Sequence, residues 1–73
     1  GLEKRTPLHR ASLKGRKKIA ELLIAKGAGV NAKVVSGRYK DATPLDMAKD
    51  NEIADLLRKH GGKTGEELKA EGK

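Results

Sequence analysis

The sequence predicts an all-α fold of two stacked helix-turn-helix units, which a long hairpin-like finger joins and a short helical cap closes. Two phrases occur twice along the chain: TPLHRA at 6–11 returns as TPLDMA at 43–48, and IAELL at 19–23 returns as IADLL at 53–57. Both offsets lie near about 35 residues, a period typical of stacked-repeat proteins. Each copy therefore predicts one structural unit.

The first pair of helices is predicted from its caps and its apolar spacing. Thr6 is a good N-cap, and Pro7 fits the first helical position because the N–H that proline lacks would have no partner there. Gly15 ends this helix. A second helix is predicted over 17–26, where apolar residues recur at i, i+3 and i+4. Gly27 closes it, since glycine tolerates the left-handed conformation.

The finger and the second unit follow. Residues 28–42 mix β-branched valines with Asn, Ser and Gly, which predicts a hairpin-like loop rather than a helix. Thr43 then restarts the helical pattern with the same cap. The second unit is three residues shorter between its two phrases, so its first helix or its turn must be tighter. Its second helix is predicted over 52–60, before two glycines.

The tail predicts one more short element. Thr64 and Glu67 have the spacing of a capping box, which favours a last helical turn or two with Leu68 as the large apolar residue that docks. A disordered tail is the alternative. The predicted units are 1–33 for the first repeat, 34–62 for the finger and shortened second repeat, and 63–73 for the capping tail.

These phrases resemble the ankyrin-repeat family, whose signature is Thr-Pro-Leu-His-x-Ala in a repeat of about 33 residues. Residues 6–11 match it fully, and 21–33 are similar to the family's second helix and following turn. In the second copy Asp46 stands where His is usual, and the finger is about four residues longer than in a standard repeat. The segment 56–62 is similar to a terminal repeat that has drifted. The resemblance implies the C-terminal repeats of an ankyrin solenoid plus a cap.

The resemblance also implies a function: recognition of other macromolecules, usually proteins, without catalysis. Ankyrin repeats bind through the concave side formed by their fingers and first helices. Carried over by position, the variable surface residues of this chain are Arg5, Leu13, Lys14, Lys33, Arg38, Tyr39, Lys40, Ala42, Lys49 and Asp50.

The net charge of +7 is spread unevenly. Residues 1–40 contain eleven Lys/Arg and two acids, whereas residues 41–73 contain six Lys/Arg and eight acids. Such asymmetry indicates an electrostatically biased surface. The densest part, which we name the basic cluster, comprises Arg10, Lys14, Arg16, Lys17 and Lys18.

The basic cluster predicts docking of an acidic protein, with Arg16 and Lys17 as further binding candidates and Tyr39 as an aromatic anchor. A solvated face that keeps a small domain soluble is the plainer alternative. Nucleic acid is a weaker alternative: duplex binding needs only a basic patch, but one aromatic residue leaves no stacking platform for single strands.

Other chemistry finds no support in the sequence, and we predict no enzyme, cofactor or metal. Residues 27–32 match the letters GxGxxA but follow a helix instead of a strand, the wrong setting for a dinucleotide site. Two histidines without cysteine do not predict zinc, and the resemblance implies a structural role for His9. Ser12 has no evident base. No apolar run reaches the roughly 20 residues of a membrane span, and the lack of cysteine fits a cytoplasmic location.

Stability sets a further expectation. Each repeat buries its apolar face against neighbours, and about three repeats are normally needed. We expect Leu8, Leu13, Ile19 and Leu23 to leave apolar surface open on the N-terminal side. This predicts an upstream repeat, self-association through that face, or marginal stability. A structural role as the terminal cap of a longer array is the alternative to partner binding.

Overall fold

The computed structural model describes residues 5–72, which form four α-helices and, within that range, no β-strand. The all-α prediction is confirmed. Residues 1–4 and 73, which belong to the first predicted unit and to the tail, lie outside the described residues. In chain order the helices are α1 (Pro7–Lys14), α2 (Lys17–Ala25), α3 (Asn51–Lys59) and α4 (Gly65–Glu71).

Helices α1 and α2 begin and end close to the predicted positions. The Thr6 hydroxyl accepts a hydrogen bond from the His9 N–H at 3.3 Å, as an N-cap should. Gly15, with a φ of 69°, ends α1 in the left-handed conformation. Gly27 has a φ of 94° after the last turn of α2. Both glycines therefore occupy backbone positions that favour their residue type.

The core is aliphatic and lies among the first three helices. Helix α2 packs against both α1 and α3 and is the middle layer. Burying each large apolar side chain contributes about 1.5–3 kcal/mol, which has to stabilise a chain without Phe or Trp. The buried members of the core are Leu8, Ala11, Ala20, Ile53, Leu56 and Leu57.

The apolar surface that is open to solvent is formed by residues that differ in part from the predicted ones. Leu8 is fully buried in the core, so its assignment to that surface is wrong: as the second residue of α1 it faces the other helices. Leu23 is half-buried against the same core. Ile19 and Leu22, at 47% and 56% exposure, are the exposed large apolar residues of α2.

The second repeat has one turn where the first repeat has α1. Residues 44–47 form this turn, in which the Met47 N–H donates to the carbonyls of Thr43 and Pro44 at 3.3 and 3.1 Å. The three missing residues correspond to nearly one helical turn. The second repeat accommodates this shortening by having a single turn in place of its first helix. Asp50 then caps α3, its Oδ1 accepting the Ile53 N–H at 3.0 Å.

The finger is hairpin-like, as predicted, but too short to form a strand ladder. The Val34 N–H donates to the Ala42 carbonyl at 3.0 Å, and the Asp41 N–H donates to the Val34 carbonyl at 2.7 Å. Gly37 and Asp41, with φ of 90° and 71°, reverse the chain between these bonds. Because Val34 is fully buried, the base of the finger is anchored.

The tail is helical, and the predicted capping box is present. The Thr64 hydroxyl accepts the Glu67 N–H at 3.1 Å, and Glu67 Oε1 accepts the Thr64 N–H at 2.8 Å. Glu67 Oε1 also accepts a bond from Arg58 at 2.7 Å. The Thr64 N–H first and Arg58 second lower the pKa of the Glu67 carboxyl, because both stabilise its charged form.

Candidate protein-binding surface

His9 ties the first repeat to the base of the finger. Its Nδ1 accepts the Thr6 N–H at 3.1 Å, so the proton lies on Nε2, which donates to the Ala42 carbonyl at 2.8 Å. The ring is fully buried. The structural role that the resemblance implied for His9 is therefore confirmed, and it orients the finger relative to α1.

Asp46 stands at the equivalent position of the second repeat, but it accepts hydrogen bonds where His9 donates one to the finger. Its Oδ2 accepts the Thr43 N–H at 2.9 Å and the Gly65 N–H at 2.8 Å. A histidine donates to the carbonyl of a following finger, whereas a carboxylate accepts from the first N–H of a following helix. Asp46 thereby docks α4 beside the finger.

The finger and α1 enclose a small cavity, which we name the anchor cavity. The Arg5 guanidinium lies over the Tyr39 ring, 5.2 Å from its centroid, a cation–π arrangement. Leu13 and Tyr39 are each nearly half exposed, so the cavity is open to solvent. It measures about 250 Å³ and is lined by Arg5, Leu13, Tyr39, Ala42, Asp46 and Met47.

A wider groove runs between the finger and α4, and we name it the finger groove. It measures about 660 Å³ and shares Tyr39, Ala42 and Asp46 with the anchor cavity, so the two spaces adjoin. Its cationic side chains form no ion pair within residues 5–72. The charged residues that line it are Lys33, Arg38, Lys40 and Lys69, with Asp41, Asp46 and Glu66.

Five predicted residues line neither space: Lys14, Arg16, Lys17, Lys49 and Asp50. Lys17 is 3.8 Å from Glu52 in an exposed ion pair between α2 and α3. Lys14 and Arg16 border an apolar hollow on the outer side of α1 and α2, beside Ile19. Lys49 packs over the end of α1, where its N–H donates to the Ser12 carbonyl at 3.0 Å. The structure thus brings together seven of the predicted residues: Arg5, Leu13, Lys33, Arg38, Tyr39, Lys40 and Ala42.

Six residues that line these spaces were not predicted: Asp41, Asp46, Met47, Gly65, Glu66 and Lys69. Met47 stands at the variable position of the repeated phrase, where Arg10 stands in the first copy, and that position was the available signal. Lys69 had no such signal, because its place beside the finger depends on how α4 docks.

Comparison with known proteins agrees with the repeat architecture. The ankyrin-repeat family model matches residues 3–34, which include α1, α2 and the start of the finger. This chain contains an ankyrin repeat. Ankyrin repeats generally mediate protein–protein interaction, and the repeat is a non-catalytic module.

One relative extends the similarity beyond the matched repeat. The chain is 43% identical over 63 residues to the serine/threonine-protein kinase VIK of Arabidopsis thaliana. The aligned region covers 82% of this chain but 14% of that kinase. No solved structure matches the chain significantly.

Membrane spans and metal sites are two other features that the described part of the chain lacks. No helix within residues 5–72 has the length and apolar character needed to cross a bilayer. In the same range no group of three or more His, Cys, Asp and Glu side chains has an arrangement that could bind a metal ion.

Proposed function

We propose that this ankyrin-repeat chain recognises a protein partner through the concave surface formed by the finger and α1. The main support is the anchor cavity, where Arg5 and Leu13 of the first repeat meet Tyr39 of the finger. Tyrosine and arginine are enriched among the residues that dominate binding energy. A partly exposed aromatic ring beside apolar side chains is a suitable anchor point.

The charge of the finger favours an acidic partner. Lys33, Arg38 and Lys40 are exposed and line one groove. A surface of one sign raises association rates with a partner of the opposite sign, by roughly 10- to 1000-fold in strongly steered cases. The basic cluster, including Arg16 and Lys17, adds to this steering from outside the contact surface.

The setting of this interaction is part of the proposal. We place it in the cytoplasm, because the absence of cysteine fits a reducing compartment. Lys14, the last residue of α1, and Lys49, which packs over the end of that helix, contribute to the same positive potential.

Cross-linking and quantitative capture test the proposal with two charge-reversal variants of equal charge change. Arg38→Glu with Lys40→Glu alters the finger, whereas Arg16→Glu with Lys18→Glu alters the basic cluster. We expect the finger variant to lose the acidic proteins that the wild type enriches, and the cluster variant to retain them at reduced rates. Equal capture by the wild type and both variants would remove the concave surface from consideration.

A duplex DNA titration at low salt completes the test. Exposed charges on the finger could also bind phosphates, and such binding falls steeply as salt rises. Strong, salt-sensitive DNA binding that the finger variant abolishes would assign the surface to nucleic acid instead of an acidic protein.

The exposed Ile19 and Leu22 favour a second candidate function, in which the outer side of α2 stacks against another repeat or a second copy of this chain. In that case the chain is a structural cap as well as a binding module. This face lies apart from the anchor cavity, so the two functions are compatible.

A further inference from the structure

We propose that the partner presents a short acidic peptide segment with one large apolar side chain. That side chain enters the anchor cavity, and the carboxylates of the segment lie along the finger groove. The inference rests on the proposed function and specifies the chemistry of its ligand.

The anchor cavity suits an apolar side chain. Its volume of about 250 Å³ exceeds the roughly 150 Å³ at which an engineered cavity binds benzene. Leu13, Ala42 and Met47 supply apolar walls, and the Tyr39 ring closes one side. An inserted side chain of the size of Leu or Phe would remove these walls and itself from water, which is favourable in proportion to the apolar area buried.

The finger groove suits carboxylates. Four cationic side chains line it, and none forms an ion pair within the described part of the chain. Among the three acids of the groove, the Asp46 Oδ2 already accepts two backbone N–H groups, which offset its charge. Two acids, Asp41 and Glu66, therefore remain against four cations. An acidic segment gains ion pairs there that a neutral or basic segment cannot form.

The adjacency of the two spaces indicates one continuous segment rather than two separate ligands. Tyr39, Ala42 and Asp46 line both spaces. An extended residue spans roughly 3.3–3.6 Å, and the longest dimension of the described molecule is 31 Å. A segment shorter than about nine residues can therefore reach from the anchor cavity along the whole groove.

Selection from a phage-displayed library of random twelve-residue peptides tests this inference directly. We expect enriched peptides to combine at least one large apolar residue with several Asp or Glu residues. Because Tyr39 is the chain's one aromatic residue, selected peptides without Tyr or Trp should change its fluorescence on binding. Failure to enrich any peptide, or enrichment of neutral or basic ones, would overturn the inference.

Three variants locate the bound peptide. Tyr39→Ala should weaken binding of a selected peptide about tenfold or more, since truncating a central aromatic anchor has that effect. Arg38→Glu with Lys40→Glu should weaken it at low salt and less at high salt. Val35→Ala is the matched control, because Val35 is a finger residue, 60% exposed, that lines neither space.

Circular dichroism first establishes that all three variants fold. The anisotropy of a labelled peptide then measures binding. Its signal comes from the label on the peptide, so it can also be used for the Tyr39→Ala variant. If Tyr39→Ala and Val35→Ala bind equally well, the anchor cavity is not the peptide site. If no peptide is selected but intact acidic proteins are still captured through the finger, the peptide inference fails while the proposed function stands.

Discussion

His9 and Asp46 stand at the same position of the repeated phrase, and the difference between them decides what each repeat can join. The protonated Nε2 of His9 requires an acceptor, and the Ala42 carbonyl supplies it. The Asp46 carboxylate requires donors, which the N–H groups of Thr43 and Gly65 supply. A repeat with histidine is thus followed by a finger, and the repeat with aspartate is followed by a helix N-terminus.

Ser12 and Thr43 are both fully buried hydroxyl residues, yet only one of them is satisfied. The Thr43 hydroxyl donates to the Lys63 carbonyl at 2.6 Å. The Ser12 hydroxyl has no hydrogen-bond partner within residues 5–72. A buried hydroxyl without a partner destabilises a fold, whereas removal of a partnered one leaves an acceptor unsatisfied.

We therefore expect Ser12→Ala and Thr43→Val to change stability in opposite directions. Ser12→Ala should raise the free energy of unfolding by about 1 kcal/mol, which corresponds to roughly 4–8 °C in melting temperature. Thr43→Val should lower it by about 1–3 kcal/mol. Urea denaturation of the two variants beside the wild type measures both changes. A loss of stability in Ser12→Ala would show that the hydroxyl has a partner after all.

Helix α4 depends on polar contacts more than on burial, since none of its residues is fully buried. The Asp46 carboxylate binds its first N–H, Arg58 pairs with Glu67, and Lys63 pairs with Glu71. Exposed ion pairs contribute little singly, so hydrogen bonds to the helix start matter most. Because α4 lines the finger groove, its docking also shapes the proposed binding surface.

Helix α4 should weaken at acid pH because of Glu67. The folded-state pKa of this carboxyl lies below the ordinary value of about 4.3. Its stabilising contribution is therefore complete above that ordinary value and is lost as pH falls through the lowered pKa. Thermal melts between pH 3 and pH 7 should show a smaller pH dependence in Glu67→Gln than in the wild type.

Glu66→Gln is the matched control for this pH dependence, because Glu66 is an exposed neighbour that takes no part in the capping box. Its melting profile should follow the wild type. Superimposable profiles for the two glutamine variants would mean that the Glu67 contacts do not stabilise the fold.

The molecule as a whole combines a small core with an exposed apolar face. Six buried residues form the central cluster, and Ile19 and Leu22 stand outside it on α2. Arg10, Lys14 and Arg16 border the hollow beside this face. Two copies that meet there would bring like charges together, and salt screens that repulsion.

We expect self-association that strengthens as salt rises or, for the monomer, a melting temperature within the range of about 45–65 °C typical of mesophile domains. Sedimentation velocity at several concentrations, together with thermal melting, measures both properties. Leu22→Glu should abolish any self-association, and Val35→Glu, at an equally exposed apolar position of the finger, should leave it unchanged. A monomer that melts well above about 60 °C would contradict this expectation.

Most of the secondary structure could be predicted because its signals are local. The Thr6-Pro7 cap, the glycine stops and the capping box of Thr64 and Glu67 act within a few residues of their own helix. The finger was predicted as hairpin-like for the same reason. Of the binding surface, Arg5, Leu13 and Tyr39 were predicted by position in the repeat, but their meeting around one cavity was not.

The remainder depended on contacts between distant parts of the chain. The phrase of the second repeat predicted a helix or a tighter turn, and only its surroundings reduced it to a single turn. Likewise, the basic cluster is evident from the sequence, but the ion pair of its member Lys17 with Glu52 on α3 is not. Nor does the sequence indicate that Lys69, outside the cluster, lies beside the finger through the docking of α4. Local chemistry determines where helices begin and end, because caps and turns are short-range. Tertiary packing decides which charged residues share one groove, because packing brings together residues that are about 30 positions apart in the sequence.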